Sequence, residues 1–165
     1  ALIHLVPDSR PRNPVEIKSV ALHIGPNLPP ETPVTSTGWG KMQSSDQFPA
    51  TIFNRAIKLQ TTDLNGCPRQ AGMARLSKVV CARADGKKMC KGDSGSPLIL
   101  TNGRVPRIVG VVSRELSTDK NCGPSGQPGV YTEIEAFAPW ICKIMGQDSD
   151  ASACAKLTTP AALRQ

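Results

Sequence analysis

The sequence predicts an all-β fold, an antiparallel barrel or sandwich followed by one C-terminal helix. From residue 34 onward, short β-prone stretches alternate with turns rich in Gly, Pro, Asn and Asp, a pattern typical of antiparallel sheets. Only residues 135–145 space their apolar side chains as a helix does. The predicted strands span about residues 34–42, 52–60, 77–82, 97–101, 105–113 and 129–134.

Two of these strands and the helix have clear local signals. Residues 107–113 are β-branched and nearly continuous, as in a strand buried on both faces. Asn102-Gly103 precedes them and predicts a hairpin turn. In the helix, Pro139 stands near the first turn, where its missing N–H costs nothing, and Gly146 ends the pattern.

The chain divides into three parts by composition. Residues 1–33 begin with an apolar stretch that reads as the end of a strand, and then carry seven prolines, which predicts a linker crossing the surface with at most a short strand at 15–20. Residues 34–146 hold the predicted barrel and helix. Residues 147–165 are rich in Ala, Ser, Thr and Asp and predict a flexible tail.

Composition excludes several classes of protein. The chain has 165 residues, 39% of them hydrophobic, which is enough for a packed core and excludes a fully disordered chain. No apolar run is long enough to span a bilayer. The net charge of +7 comes from scattered basic residues, and only six residues are aromatic, so we expect neither a nucleic-acid nor a membrane partner.

Cysteine content points to an oxidising compartment. Six cysteines occur without a C-x-x-C pair, which favours disulfides over zinc and predicts a secreted, extracellular protein. Six cysteines allow fifteen pairings, so the count alone does not fix the connectivity. We expect no metal and no cofactor.

One segment has the residue types of a nucleophile loop. In Gly92-Asp93-Ser94-Gly95, a glycine just before the serine allows the backbone to turn so that successive N–H groups can meet near the hydroxyl. A tetrahedral oxyanion needs such a pair of donors. A plain turn between two strands would have the same composition.

The surrounding motifs resemble the chymotrypsin/trypsin family of serine proteases. Besides the Gly-Asp-Ser-Gly segment after Cys90, three stretches match the family in the right order. They are Thr37-Gly38-Trp39-Gly40-Lys41, Pro128-Gly129-Val130-Tyr131-Thr132 and Phe137-Ala138-Pro139-Trp140-Ile141. The resemblance covers residues 34–146 and implies the second barrel of the chymotrypsin fold. Residues 1–33 would then be the end of the first barrel and the proline-rich linker between the barrels, with the rest of the first barrel absent.

The resemblance also implies roles for individual residues. Ser94 would be the nucleophile, with the N–H groups of Gly92 and Ser94 forming the oxyanion hole. Asp93 would pair with the N-terminus that zymogen cleavage releases. The substrate-binding residues it implies are Lys88, Met89, Ser113, Arg114, Glu115 and Gly129.

Disulfides are implied in the same way. Cys67–Cys81 and Cys90–Cys122 match two bridges of the family, whereas Cys142 and Cys154 pair either with each other or with a segment outside this chain. A third family bridge would fall on Val34 and Leu100. Both of its cysteines are missing together, which supports the alignment.

The catalytic base and its orienting carboxylate have no counterpart in the sequence. His4 and His23 both lack the Ala-His-Cys context of the family's histidine, and the family's aspartate would fall before Ala1. We therefore expect a serine endopeptidase that acts on polypeptides by acyl transfer to Ser94, present as a C-terminal portion that is inactive alone. A first barrel or a second chain would have to supply His and Asp. The alternative is a non-catalytic homologue that binds other proteins.

Substrate preference stays open at this point. Lys88 stands where trypsin-like enzymes carry the aspartate that receives Arg or Lys. By charge it would suit an acidic side chain, unless Glu115 neutralises it or it points to solvent.

Overall fold

A computed structural model describes residues 2–3, 20–42, 53–63, 67, 78–87, 89–103, 105–115 and 128–145. Within these residues, seven strands form one sheet. The strands are β1 (Ala21–Leu22), β2 (Pro33–Gly38), β3 (Arg55–Thr62), β4 (Val79–Arg83), β5 (Pro97–Leu100), β6 (Arg107–Glu115) and β7 (Gly129–Glu133).

The sheet closes into a six-stranded antiparallel barrel. Its strands run in the order β6-β5-β2-β3-β4-β7, and β7 pairs back onto β6. Closure leaves no free edge among these six strands, so the predicted barrel is confirmed over the predicted sandwich. β1 adds to β6 in parallel, with Ala21 opposite Arg107. The sequence predicted no strand at these two residues.

Apolar side chains on alternate positions fill the barrel interior. Val34 and Leu59 point inward from β2 and β3, Leu98 and Leu100 from β5, and Tyr131 from β7, all buried. Alternation along each strand places these residues on one face. Each buried aliphatic side chain stabilises the fold by about 1.5–3 kcal/mol relative to an exposed one.

Strand β2 ends earlier than the sequence predicts, because the residues after it bond to the segment that contains Ser94. Strand β2 stops at Gly38 rather than near residue 42. Beyond it, the N–H of Gly40 donates to the Asp93 carboxylate and the N–H of Lys41 to the carbonyl of Lys91. These donors are therefore directed to the nucleophile loop and not to a neighbouring strand.

The predicted C-terminal helix is present in two pieces. A 3-10 helix (Glu135–Phe137) leads into α1 (Ala138–Ile144). Pro139 occupies the first turn of α1, where a missing N–H is tolerated. Ala138, Ile141 and Cys142 are its buried residues.

Candidate active site

Two consecutive tight turns shape the nucleophile loop, which we define as residues 90–96. The N–H of Asp93 donates to the carbonyl of Cys90 (3.0 Å), and the N–H of Ser96 donates to that of Asp93 (2.9 Å). Gly92 and Gly95 adopt φ values of 97° and 87°, a region that side chains with a Cβ avoid. The two glycines of the motif are thus required by the backbone. At Gly95 this is the whole reason, since a Cβ there would meet no atom within 4 Å.

Strand β6 anchors the loop from one side. The N–H of Gly95 donates to the carbonyl of Val112 (2.9 Å), and the N–H of Val112 donates to the carbonyl of Ser96 (2.8 Å). Just beyond Val112, the pairing of β6 with β7 shifts by one residue, at Ser113. Such a bulge re-aims side chains, and the Ser113 side chain is exposed next to the loop.

Asp93 fastens the loop from the other side. Its carboxylate is buried and accepts two main-chain hydrogen bonds of 2.8 Å, from the N–H of Gly40 to Oδ1 and from the N–H of Cys90 to Oδ2. Charge-assisted bonds of this kind are stronger than neutral ones. They join the end of β2 to the loop through one side chain.

This arrangement explains why Gly38 and Gly40 are glycines. A Cβ built on either residue would overlap the Asp93 carboxylate. The sequence matched this segment to the family without giving a physical reason for it. Two glycines with one residue between them are the available signal of a close backbone approach.

The reactive end of the loop is open. Ser94 is exposed, and in the described part of the chain its hydroxyl has no hydrogen-bond partner. There, the N–H groups of Gly92 and Ser94 also donate to no carbonyl or side chain. An exposed hydroxyl and two main-chain donors in one short loop are two of the elements that acyl transfer requires, and a positioned base is the third.

His23 lies away from this hydroxyl. The ring nitrogen Nε2 of His23 is 3.1 Å from the carbonyl oxygen of Pro26. The main-chain N–H of His23 donates to the carbonyl of Ile108, near the start of β6. The nucleophile loop is bonded to Val112, which is about 13 Å further along the same strand. His4 lies outside the described residues.

The predicted substrate-binding residues are described only in part. Met89 is buried in the barrel core, which the sequence did not indicate. Gly129 opens β7 and pairs with Glu115 at the end of β6, while Arg114 pairs with Val130. The side chains of Arg114 and Glu115, and all of Lys88, lie outside what the structure describes.

Disulfide bonds agree with the predicted framework as far as it is described. Cys67 and Cys81 are joined, with their Cα atoms 5.7 Å apart, which confirms that pairing. Cys90 and Cys142 are also disulfide-bonded, but Cys122 and Cys154 lie outside the described residues. Their pairings stay predictions.

The two residues at the positions of the family's third disulfide, Val34 and Leu100, also lie next to each other in the sheet. Val34 of β2 stands directly opposite Leu100 of β5. Both are buried, with 1% and 8% of their surface exposed. Cross-strand neighbours have Cβ atoms about 4.5–5.5 Å apart, so an apolar pair occupies the place of a disulfide.

A second region differs from the loop in character. A cavity of about 870 Å³ opens between β7, the 3-10 helix and α1, and we call it the helix groove. Its walls are mainly apolar and include Leu2, Val111, Phe137, Trp140 and Met145. Leu2, Trp140 and Met145 keep 42%, 44% and 50% of their surface exposed.

Charged groups line one side of the helix groove. The Lys78 ammonium lies 5.3 Å from the centre of the Phe137 ring, a cation–π contact. Burial raises the pKa of the Glu133 carboxyl and the nearby Glu135 carboxylate raises it further, while His23 lowers it.

None of the helices in the described residues combines the length and the apolarity needed to cross a bilayer.

Comparison with known proteins places the chain among serine proteases. The sequence model of the family described as Trypsin matches residues 1–141. Bovine coagulation factor XI is 36% identical over 110 residues, covering 64% of this chain and 16% of the relative. Mouse transmembrane protease serine 11G is 30% identical over 115 residues (68% and 27%). Guinea-pig coagulation factor XII is 28% identical over 133 residues (77% and 22%).

The chain spans less than a third of the length of each of these relatives. With the family match over most of its residues, and with a chymotrypsin-type barrel in its structure, the chain belongs to the trypsin family of serine proteases.

Proposed function

We propose that this chain provides the nucleophile half of a serine endopeptidase and cleaves polypeptides by acyl transfer to Ser94. The observation that carries the proposal is the nucleophile loop itself. The Ser94 hydroxyl is exposed in a loop of two tight turns that also carries the N–H groups of Gly92 and Ser94, and the buried Asp93 carboxylate fixes this loop through hydrogen bonds from Gly40 and Cys90.

In the proposed reaction Ser94 Oγ attacks the carbonyl carbon of the scissile peptide bond. A histidine takes the hydroxyl proton and returns it to the leaving amine, while the N–H groups of Gly92 and Ser94 stabilise the oxyanion. Water then hydrolyses the acyl-enzyme by the same route. Asp93 acts here as a positioning residue, and its pairing with a released N-terminus remains part of the proposal.

The histidine has to come from outside the described barrel. A serine hydroxyl is a poor nucleophile without a positioned base, and His23 is bonded at the far end of β6. We propose that a first barrel or a second chain supplies the base and its carboxylate. The isolated chain is then inactive.

The helix groove is the proposed docking surface for that barrel. Apolar patches that are exposed in one chain commonly mark interfaces, and Trp140, Ile144 and Met145 are exposed at the groove or next to it. Leu2 already lies in the groove. Leu2 belongs to the segment predicted to be the end of a first-barrel strand.

An extracellular location fits the disulfides. Cys67, Cys81, Cys90 and Cys142 are all oxidised, and such bonds persist in oxidising compartments. The relatives' names include both coagulation factors and a transmembrane protease, so secretion of this chain is part of the proposal.

Fluorophosphonate labelling tests the function. The probe phosphonylates an activated serine, and the adduct is located by peptide mass spectrometry. We expect no adduct on the chain alone and an adduct at Ser94 when a first barrel of the chymotrypsin fold is supplied. Ser94→Ala must abolish that adduct, whereas Ser96→Ala, two residues away, must retain it.

The alternative is a non-catalytic homologue that binds proteins. An adduct that never forms at Ser94, although the first barrel demonstrably binds, would reject the endopeptidase and support the binding module.

A further inference from the structure

We propose that Asn102 is a site of spontaneous deamidation, at which the main-chain nitrogen of Gly103 attacks the asparagine side chain. The Asn102-Gly103 pair lies in the loop between β5 and β6. The sequence predicted a hairpin turn at this pair, and the function proposed for Ser94 does not involve it. The inference therefore stands apart from that function.

Strand pairing does not hold Asn102-Gly103 in a tight turn. A two-residue hairpin turn continues the pairing of the strands up to the residues on either side of it. Pairing of β5 with β6 instead ends at Leu100 and Arg107, which leaves residues 101–106 outside the strands. Gly103 also lacks the positive φ that the favoured type I′ turn requires. The pair therefore belongs to an open loop.

Both reacting groups are exposed and make no hydrogen bond. Asn102 and Gly103 are exposed to solvent. Within the described residues, neither the Asn102 side chain nor the N–H of Gly103 has a hydrogen-bond partner. A main-chain nitrogen in a sheet or a helix has to give up a hydrogen bond before it can attack a neighbouring carbon. At Gly103 no such bond has to break.

The fold does not require a glycine at position 103, whereas the reaction is favoured by one. A Cβ built on Gly103 has no neighbour closer than the Val105 carbonyl oxygen, 4.0 Å away. Neither the backbone conformation nor the packing thus excludes a larger residue. Because glycine has no Cβ, its main chain can approach another group closely. The Gly103 nitrogen can therefore reach the side-chain carbon Cγ of Asn102 with little steric hindrance.

The reaction needs only these two residues and water. The Gly103 nitrogen loses its proton to solvent and bonds to Cγ of Asn102, while the Cγ–Nδ2 bond breaks and Nδ2 takes up a proton and leaves as ammonia. Water then opens the resulting succinimide ring. Attack of water at Cγ gives aspartate, and attack at the main-chain carbonyl carbon of residue 102 gives isoaspartate. Either product lowers the net charge of +7 by one.

Two other exposed asparagines of the chain serve as internal controls. Asn27 is followed by a leucine and Asn54 by an arginine, and both asparagines are exposed. The full chain is incubated at neutral pH, and the products are located by peptide mass spectrometry. We expect aspartate and isoaspartate to form at residue 102 at least about tenfold faster than at either control. Asn65, which also precedes a glycine, lies outside the described residues and is read separately.

Matched variants test the part of each residue. Gly103→Ala, for which the fold has room, should slow product formation at residue 102 about tenfold. Asn102→Gln should form no product, because its longer side chain would have to close a larger ring. Both variants should melt within a few degrees of the wild type. A synthetic peptide of residues 98–108 should react within about fivefold of the folded chain, since the loop leaves the pair free.

Four results would each overturn the proposal. The first is a rate at residue 102 no higher than at Asn27 and Asn54, and the second is a wild-type rate in Gly103→Ala. The third is aspartate without isoaspartate, which indicates direct hydrolysis of the side chain and not attack by the Gly103 nitrogen. The fourth is a peptide that reacts more than about fivefold faster than the folded chain, which would show that the fold protects the pair.

Discussion

The nucleophile loop and the helix groove both contact strand β6, but they differ in what they leave unsatisfied. The buried carboxylate of the loop has hydrogen-bond partners, whereas the apolar side chains of the groove remain exposed. Val112 of β6 exchanges two main-chain hydrogen bonds with the loop, while its neighbour Val111 lines the groove. The loop holds its buried carboxylate with donors from its own chain. The groove leaves Trp140 and Met145 about half exposed.

This contrast separates what one barrel can build alone from what it cannot. The shape of the loop depends on turns, glycines and one carboxylate, all within the described barrel. Covering the groove requires apolar surface that the described residues do not supply. We therefore expect the loop to keep its geometry in the isolated chain, and chemistry at Ser94 to depend on what covers the groove.

Substitution of Gly40 is the strongest way to break the loop side of the comparison. In Gly40→Ala the new Cβ overlaps the Asp93 carboxylate, and either the carboxylate or the end of β2 has to move. We expect a loss of about 3 kcal/mol or more in the free energy of unfolding, measured by urea titration. Gly103→Ala is the matched control, because its Cβ has no neighbour closer than 4.0 Å. Equal stability of the two variants would contradict the packing.

Asp93→Asn removes the charge with little change in shape. One of the two main-chain donors, Gly40 N–H or Cys90 N–H, would then face an amide NH2 group instead of an oxygen. We expect the free energy of unfolding to fall by about 2–3 kcal/mol. Hydrogen exchange should become faster at the main-chain amides of Gly40 and Cys90. Asp85→Asn, at an exposed turn, should change neither quantity. Unchanged exchange at Gly40 in Asp93→Asn would exclude the carboxylate as the anchor.

A new disulfide would sharpen the comparison by locking the strand that follows the loop. In Val34→Cys/Leu100→Cys the two thiols lie directly across β2 and β5, at a separation that a disulfide spans. The cross-link should raise the free energy of unfolding by about 4 kcal/mol, and the loss of the Val34 and Leu100 side chains from the core should cancel about half of that gain. Thiol titration should find no free thiol, and the melting temperature should rise. Free thiols after mild oxidation would show that the strands do not face each other at these residues.

Glu133→Gln probes the helix groove and should have the smallest effect. Because the pKa of the folded carboxyl is raised from its ordinary value of 4.5, the folded chain binds its proton more tightly than the unfolded chain does. The wild type therefore loses stability as the pH rises from about 4.5 through the folded pKa. Glutamine does not titrate, so the variant should melt about 1–2 °C higher at pH 7.

Comparison across pH checks the sign of that effect. The difference in melting temperature should shrink below pH 4.5, where Glu133 of the wild type is protonated. Asp85→Asn serves as the exposed control. A difference that stays constant from pH 4 to pH 7 would contradict the assigned cause, since Glu135, His23 and Lys78 are unchanged in the variant.

Strands were predictable from the sequence because their signals are local. Residues 107–113 and 129–134 contain β-branched residues between turn sequences, which predicts strands. The structure has a strand in each of these stretches. The two-residue β1 has no such pattern and depends on a neighbour remote in sequence. The early end of β2 was missed because it depends on Asp93, 53 residues beyond Gly40.

At the site, side-chain chemistry was easier to predict than main-chain chemistry. The two glycines of the loop were singled out from residue types in one short motif and from the family motifs around it, and the structure shows why they are needed; the role of Ser94 stays a prediction. The donors that hold Asp93 are backbone N–H groups, which every residue except proline carries, so nothing in the sequence marks them directly. The spacing of Gly38 and Gly40 is the one sequence feature that could have marked a close approach to the backbone there, and it was used only as a family match.

The dependence of Ser94 labelling on the helix groove tests the central claim most directly. Fluorophosphonate labelling of Ser94 is measured while a first barrel is titrated into three proteins, the wild type, Trp140→Glu and Phe53→Glu. Trp140 lines the helix groove. Phe53 is the control, because it is 67% exposed and does not line the groove. We predict saturable labelling of Ser94 in the wild type and in Phe53→Glu, with at least a tenfold higher barrel concentration needed for Trp140→Glu. Equal labelling of all three proteins, or labelling of the wild type without any added barrel, would contradict the account.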